Sequence, residues 1–353
     1  MEIAFNPSDA TPIIDLPPKP KEMISVSQRD GKTLVRINYS SMDIIQNCLR
    51  KAKFSLFEGW KPLDESVATV FGSAFHKALE VYYRGSLEER KLPTLETMQM
   101  MAFGNVVDGE ETDLLLRSTR AFVEAAQPLK DIPESDKHSI VNGCWILHRY
   151  FETYLKDPYV AYFDKDGPFV ERTASVVVYE DETLIVELFG TIDVVLQHVT
   201  TGELLPTDHK TAGFLNFGGS SYFDREKPNH QYSGYLLLVR DVFGLDVNKF
   251  MANIIEKKPR PKTKGAIGVQ FPRQVTERNA DDFADFRESL VHVAKQYLNS
   301  IYEDHWPMGP IGACTAYGSC SYRAVCSVPH SMHRNILTAK FKQQGGTDEV
   351  IGN

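Results

Sequence analysis

Two strand-like runs, Ile192 to Val199 and Leu204 to Thr207, constrain this chain more than any other feature. Both are rich in β-branched and aliphatic residues, and Thr200-Thr201-Gly202-Glu203 between them reads as a hairpin turn. Gly190-Thr-Ile-Asp193 opens the first run, and Asp208-His-Lys210 closes the second. Residues i and i+2 of a strand point to one face, so Asp208 and Lys210 project together. The 14 residues between Asp193 and Asp208 suit a hairpin that returns both acids to the same end of a sheet. Singly, each is an ordinary surface residue. Together, two acids and an amine at one spot suit a hard divalent cation and the phosphodiester chemistry it supports.

Around this hairpin the periodicity is mixed. Thr33 to Ile37 reads as a short strand, and Ser40 or Ser41 as the cap of a helix through Ile44, Ile45, Cys48 and Leu49. Val67–Tyr83 carries a helical apolar stripe that contains His76, and residues 94–164 read as mostly helical. Val176 to Tyr179 and Thr183 to Phe189 read as strands. A helix is expected from Asn229 to Phe243, a strand from Phe250 to Ile255 and an amphipathic helix over 281–303. This order implies an α/β fold with a mixed central sheet flanked by helices, with 94–164 as a helical insertion. The proline-bearing segment 1–30 is expected to be a flexible arm, 31–336 one domain, and 337–353 a mobile tail.

The chain has 353 residues, 42% hydrophobic, enough for a substantial core. Met1 to Pro20 lacks the basic start and apolar run of a signal peptide. No stretch approaches about 18 uninterrupted apolar residues, so a cytoplasmic protein without membrane spans is expected. With 39 basic against 47 acidic residues, the net charge of −8 does not advertise nucleic-acid binding. Cations are nonetheless clustered. Lys257, Lys258, Arg260, Lys262 and Lys264 form a run without an acid, suited either to a solvated loop or to a phosphate-binding edge. Arg50, Lys51 and Lys53 would add to such an edge, and Tyr222, Phe223 and Tyr232 are candidates for stacking on unpaired bases.

Five cysteines, an odd number, sit unevenly at 48, 144, 314, 320 and 326. Cys314, Cys320 and Cys326 are spaced as ligands of zinc or of an iron–sulfur cluster, with Cys48 the candidate fourth ligand; free thiols are the remaining reading. The apolar neighbours of Cys144 suggest a buried core thiol.

The motifs taken in order resemble the RecB-like branch of the PD-(D/E)XK nuclease superfamily. That branch carries an upstream helix with a histidine, then Gly-x-x-Asp, then Asp or Glu-x-Lys, then Gln-x-x-x-Tyr on the following helix. Here these are His76, Gly190-Thr-Ile-Asp193, Asp208-His-Lys210 and Gln231-Tyr-Ser-Gly-Tyr235. The resemblance runs from about Tyr39 to Cys326 and implies a restriction-endonuclease-like fold. It implies Mg²⁺ or Mn²⁺ held by Asp193, Asp208, His76 and the backbone carbonyl of His209. Lys210 would act on the attacking water or the developing phosphorane charge, and Gln231 and Tyr235 would stand beside the site. Glu171 matches an upstream acid of some members.

The resemblance also implies a 4Fe–4S cluster on Cys48, Cys314, Cys320 and Cys326, as in the AddB subunit and the CRISPR-associated iron–sulfur exonucleases. Many members place two of the late cysteines only two residues apart, whereas both gaps here hold five. The implied activity is exonucleolytic hydrolysis of DNA at ends or single strands, leaving a 5′-phosphate and a 3′-hydroxyl; a DNA-binding adaptor in a larger recombination complex is the alternative. No Gly-x-x-x-x-Gly-Lys-Ser/Thr motif is present, so unwinding would fall to a partner helicase or recombination protein.

Overall fold

The structure, a computed structural model, describes residues 24–86, 88–109, 111–217, 220–226, 229–263, 268–315 and 319–344. Residues 1–23 of the expected arm, residues 345–353 of the expected tail, and Lys264 lie outside the described residues. The chain forms two compact units, each assembled from separated segments. One comprises Met1–Leu63, Val177–Phe189 and Arg287–Asn353, and the other Asp64–Val176 and Gly190–Phe286. Together the elements make the expected α/β fold, a mixed central sheet with helices beside it. Strand Leu184–His198 and helix Ala280–Tyr302 are continuous through the unit boundaries, so the runs expected to be two strands around Gly190 are one.

The first unit opens on a hairpin. Strands Ser25–Arg29 and Lys32–Ile37 pair antiparallel around Asp30 and Gly31. Both turn residues have positive φ, 54° and 77°, the conformation a two-residue type I′ turn demands and Asp-Gly supplies. The last residues of the expected arm are therefore in a strand. Lys32–Ile37 then pairs parallel with the start of Leu184–His198, Val35 opposite Val186. Asn38, not Ser40 or Ser41, caps helix Tyr39–Asn47, its side chain accepting from the Ser41 amide at 2.8 Å.

A small aromatic core closes this unit, with Phe54, Trp60, Tyr322, Val325, Leu337 and Phe341 buried together. Tyr322 stacks on Phe341, centroids 5.0 Å apart. Helix His330–Lys340 and strand Phe341–Gln343, which pairs with Trp60–Pro62, occupy the start of the expected tail.

In the second unit, Ser66 caps helix Val67–Arg84, whose stripe from Val70 to Tyr83 is buried. Helices Leu95–Ala102, Leu114–Ala125 and Ile140–Tyr154 share its core, with Phe71, Phe75 and Phe122 ring against ring. The insertion is helical only to there. Tyr159–Ala161 is a strand paired antiparallel to the end of Leu184–His198. That strand pairs antiparallel with Leu204–Ala212, which runs parallel to Lys249–Glu256, which in turn pairs antiparallel with Arg273–Glu277. Helix His230–Phe243 makes the crossover between the two parallel strands, capped by the Asn229 side chain and ended by Gly244 at φ 68°. No helix among the described residues is long and apolar enough to cross a membrane.

A polar chain is buried inside this apolar unit. Arg273 holds Asp157 through two hydrogen bonds, at 2.7 and 3.0 Å, and also donates to the Tyr83 hydroxyl at 3.1 Å. Tyr83 and Tyr150 share a hydrogen bond at 2.8 Å, and Asn253 donates to the Tyr150 hydroxyl at 2.9 Å. The Asp157 side chain is fully shielded from solvent, so removing its partner leaves a bare buried carboxylate. Arg273→Leu is therefore expected to lower the unfolding free energy by about 3–5 kcal/mol, measured by urea denaturation. A loss below about 1 kcal/mol would show the pair to be dispensable.

Candidate metal centre

All the acids of interest lie in the second unit, and strand register brings them together. The antiparallel ladder ends with Val194 opposite Thr207, which makes Asp193 and Asp208 the next residues on neighbouring strands. The His209 amide donates to Asp193 Oδ2 at 2.9 Å and fixes that carboxylate. Asp208 is buried. Lys210 Nζ straddles its two oxygens, 3.2 Å from Oδ1 and 3.0 Å from Oδ2. Asp208 and Lys210 lie within strand Leu204–Ala212 rather than after it. On helix His230–Phe243, Gln231 Nε2 reaches Asp208 Oδ1 at 3.4 Å and the Tyr235 hydroxyl at 3.0 Å. Gly190 allows this helix to lie close to the strand. A Cβ there would stand 3.2 Å from Leu238 Cδ1 and 3.5 Å from the Tyr235 ring.

Two further groups complete the cluster. His76, on helix Val67–Arg84, has Nδ1 3.3 Å from Asp193 Oδ2. Glu171, on strand Val170–Glu180, stands with them. One donor atom from each of His76, Glu171 and Asp193 lies within 4.8 Å of the others. Glu171 takes φ 53°, a left-handed conformation that costs a side-chain-bearing residue roughly 1–2 kcal/mol. Such strain is typical of positions where function fixes the backbone.

The electrostatics are those of crowded anions. Burial, then the charge of Asp193, pushes the Glu171 carboxyl up to about 7, with His76 opposing. Burial also raises Asp208 to about 6, against the pull of Lys210 and with the further push of Asp193. Burial and the same carboxylates hold the Tyr235 phenol protonated. Asp208 Oδ2 is buried, and its 3.0 Å ion pair with Lys210 Nζ lacks the angle of a hydrogen bond. An imidazole and three carboxylates, one with an oxygen that accepts no hydrogen bond, fit a divalent cation of the Mg²⁺ or Mn²⁺ kind, whose charge would offset the repulsion.

The His209 side chain does not join this donor set. Its ring is buried, stacked on Tyr83 at 5.2 Å and 9°, and its Nδ1 accepts from Asn253 at 2.8 Å. Burial and the cations of His76, Arg273 and Lys210 keep it neutral, its pKa well below the ordinary value. Asn253 and Tyr83 escaped the sequence reading because neither belongs to a local motif. Glu171 was legible only as an acid near a strand, since nothing in Val170-Glu171-Arg172 announces a positive φ.

The expected phosphate-binding run is divided. Lys257 is buried, and burial and Lys137 depress its pKa. Lys258 is paired with Glu256 at 2.6 Å. Among the described residues of the run, Arg260 and Lys262 are exposed and unburdened by an ion pair, whereas Lys257 is withdrawn from the surface. Tyr232, expected to stack on bases, is a core residue stacked on Phe250 at 4.3 Å.

The four cysteines belong to the first unit and are half-buried. Burial raises the Cys326 thiol, Arg50 opposes it, and Cys48, Cys320 and Cys314 are near enough to add to the rise. Cys48 Sγ accepts from the Gly309 amide at 3.2 Å and the Lys51 amide at 3.5 Å. A Cβ on Gly309 would meet the Asn47 carbonyl oxygen at 2.1 Å, so only glycine allows that approach. Cys144 is the buried core thiol expected, its pKa pushed up to about 12.

The raised carboxyl of Glu171 has a signed consequence. Its folded-state pKa, about 7, exceeds the ordinary 4.5. Its contribution to stability is therefore present below the ordinary value and is lost as pH rises through about 7. In EDTA, Glu171→Gln is expected to melt above the parent at alkaline pH. The advantage should vanish at pH values below the ordinary carboxylate range. Mn²⁺ should raise the melting temperature of the parent more than that of the variant. Equal melting temperatures in alkaline EDTA would contradict the crowding.

A family model described as the PD-(D/E)XK nuclease superfamily matches residues 36–327. No curated protein matches the chain. The match covers most of the sequence and includes both acid-bearing strands, the His76 helix and the Gln231 helix. With the mixed sheet and the clustered acids beside a lysine, it places the chain in the PD-(D/E)XK superfamily of metal-dependent nucleases.

Proposed function

We propose that the protein is a RecB-like deoxyribonuclease that hydrolyses phosphodiester bonds exonucleolytically, at DNA ends or on single strands. The observation that carries this reading is the gathering of His76, Glu171 and Asp193 beside the Asp208–Lys210 pair. The exonucleolytic part rests on the motif order shared with that branch. We read the protein as acting in the cytoplasm, with a helicase or recombination protein supplying any unwinding.

His76, Glu171, Asp193 and Asp208 would hold the metal, with the His209 carbonyl as a further candidate donor. A bound Mg²⁺ or Mn²⁺ supplies Lewis-acid polarisation of the phosphate and a more acidic water. The residues of the chain prepare that chemistry. The His209 amide and His76 orient Asp193. Gln231 steadies Asp208 and is itself tied to Tyr235. Lys210 keeps its ammonium at Asp208, where it can face the charge that grows on the phosphate oxygens. Without metal, burial and Asp193 keep the Glu171 carboxyl protonated up to about 7, and it would give up that proton on taking a cation. Arg260 and Lys262 are the exposed cations for the DNA backbone.

In the first unit, Cys48, Cys314, Cys320 and Cys326 would hold a 4Fe–4S cluster with a structural role. The amides aimed at Cys48 Sγ are the kind of donor that stabilises a metal-bound thiolate. Zinc is the competing occupant.

End-labelled single- and double-stranded DNA, incubated with Mn²⁺, Mg²⁺ or EDTA, tests the activity. Cleavage is expected only with metal. It should disappear in Asp208→Ala while DNA binding persists, and fall about 10²–10³-fold in Lys210→Ala. Binding without cleavage by metal-loaded parent would instead identify an adaptor. Protein purified without oxygen should be brown and contain iron and acid-labile sulfide; a colourless zinc protein would overturn the cluster.

A further inference from the structure

The first unit contains a cleft of about 600 Å³ in which half of the twelve lining residues are Lys, Arg or His. These six are Arg50, Lys53, His305, His330, His333 and Arg334, in a chain whose net charge is −8. The two lining acids are engaged within the protein. Asp304 accepts from Lys53 Nζ and from Trp306 Nε1, each at 2.9 Å. Glu58 accepts from Trp60 Nε1 at 3.0 Å, and burial raises its pKa.

Arg334 lies close enough to Glu58 to pull its pKa down, against the burial that raises it. Arg50 donates through Nε to the Trp306 carbonyl at 3.1 Å, and Arg334 lies 4.9 Å from the centre of the Trp60 ring. Neither forms an ion pair among the described residues. The His330 and His333 rings are 4.8 Å apart, and His333 points one nitrogen at the Val328 carbonyl. Burial lowers the His333 pKa first, and His330, Arg50 and Lys53 all oppose a further positive charge there. The cleft thus carries a positive field, which an anion would relieve.

The chemistry of that anion is restricted. Phe54 and Trp306, the aromatic lining, are 4% and 5% exposed, their rings packed against Tyr322 and Phe57. No broad aromatic face is left for a base to stack on. Guanidinium and ammonium groups remain, and these match phosphate oxygens. We propose that this cleft is a second nucleic-acid site, gripping the phosphodiester backbone of a strand through Arg50, Lys53 and Arg334 without reading its bases. The inference rests on the reading of the chain as an enzyme of nucleic acids, and it concerns a unit that lacks the acidic centre.

Anisotropy of labelled single strands, titrated in EDTA at several salt concentrations, tests it. The double variant Lys53→Gln, Arg334→Gln removes two cations. It should weaken binding at least tenfold at low salt and reduce the slope of log K against log salt by about 1.4, from roughly 0.7 per phosphate contact on single strands. The charge-keeping variant Lys53→Arg, Arg334→Lys should keep the parent's slope, which a purely structural role for these side chains does not predict. An unchanged slope in the double variant would overturn the proposal. A mononucleotide or inorganic phosphate that binds as tightly as the oligonucleotide would overturn the strand as ligand. Failure of the nuclease reading shows separately, as binding without metal-dependent cleavage. Cleavage by the double variant with an unchanged salt slope would sink the cleft alone.

Discussion

Two carboxylates at the end of one strand ladder set the terms for the rest of the acidic centre. Asp193 and Asp208 are adjacent because Val194 opposes Thr207, and a slip of one residue would turn one of them to the other face. Holding both in a buried place is unfavourable without compensation. The structure supplies it piecemeal, through the His209 amide on Asp193, Lys210 and Gln231 on Asp208, and His76 at the edge. The compensation is incomplete, as the raised carboxyls of Glu171 and Asp208 show. That shortfall is what a cation placed among these carboxylates would relieve.

The rigidity needed to maintain such a centre comes from the other face of the strand. His209 points away from its neighbours Asp208 and Lys210, and its ring is locked between Tyr83 and Asn253. Those two belong to the buried chain that ends at Arg273 and Asp157. A polar network without a catalytic group thereby holds the residue whose amide orients Asp193. Such networks are favourable only when nearly every member is satisfied, and here His209 Nε2 is left without a hydrogen-bond partner.

Much of this was legible in the sequence because its signals are local. Helix Val67–Arg84, the hairpin carrying the two aspartates, and helix His230–Phe243 follow from periodicity and caps. So does the sharing of a face by Asp208 and Lys210. Other features depend on distant residues. Strand Arg273–Glu277 is short and polar, and its pairing with Lys249–Glu256 is what reveals it. The Asp30-Gly31 hairpin carried a strong local signal that the proline-rich surroundings obscured. Lys257 looked like a surface cation, but parallel pairing of its strand draws it inward, with its amide bonded to the Ala212 carbonyl. Charge runs report composition, whereas burial is decided by the sheet.

The segmental make-up of the two units bears on how the chain matures during synthesis. Everything needed for the unit with the acidic centre has been translated once Phe286 is made. The other unit must wait, because Cys48 meets its backbone partner only at Gly309, 261 residues later. At roughly 5–20 residues per second that interval is about 13–50 s. Its N-terminal hairpin and early helices emerge from the ribosome well before the aromatic core that closes over them. For that time the Cys48 thiol lacks its late companions and is open to oxidation. The proposed cluster could thus be assembled only after Gly309 and the late cysteines have been made.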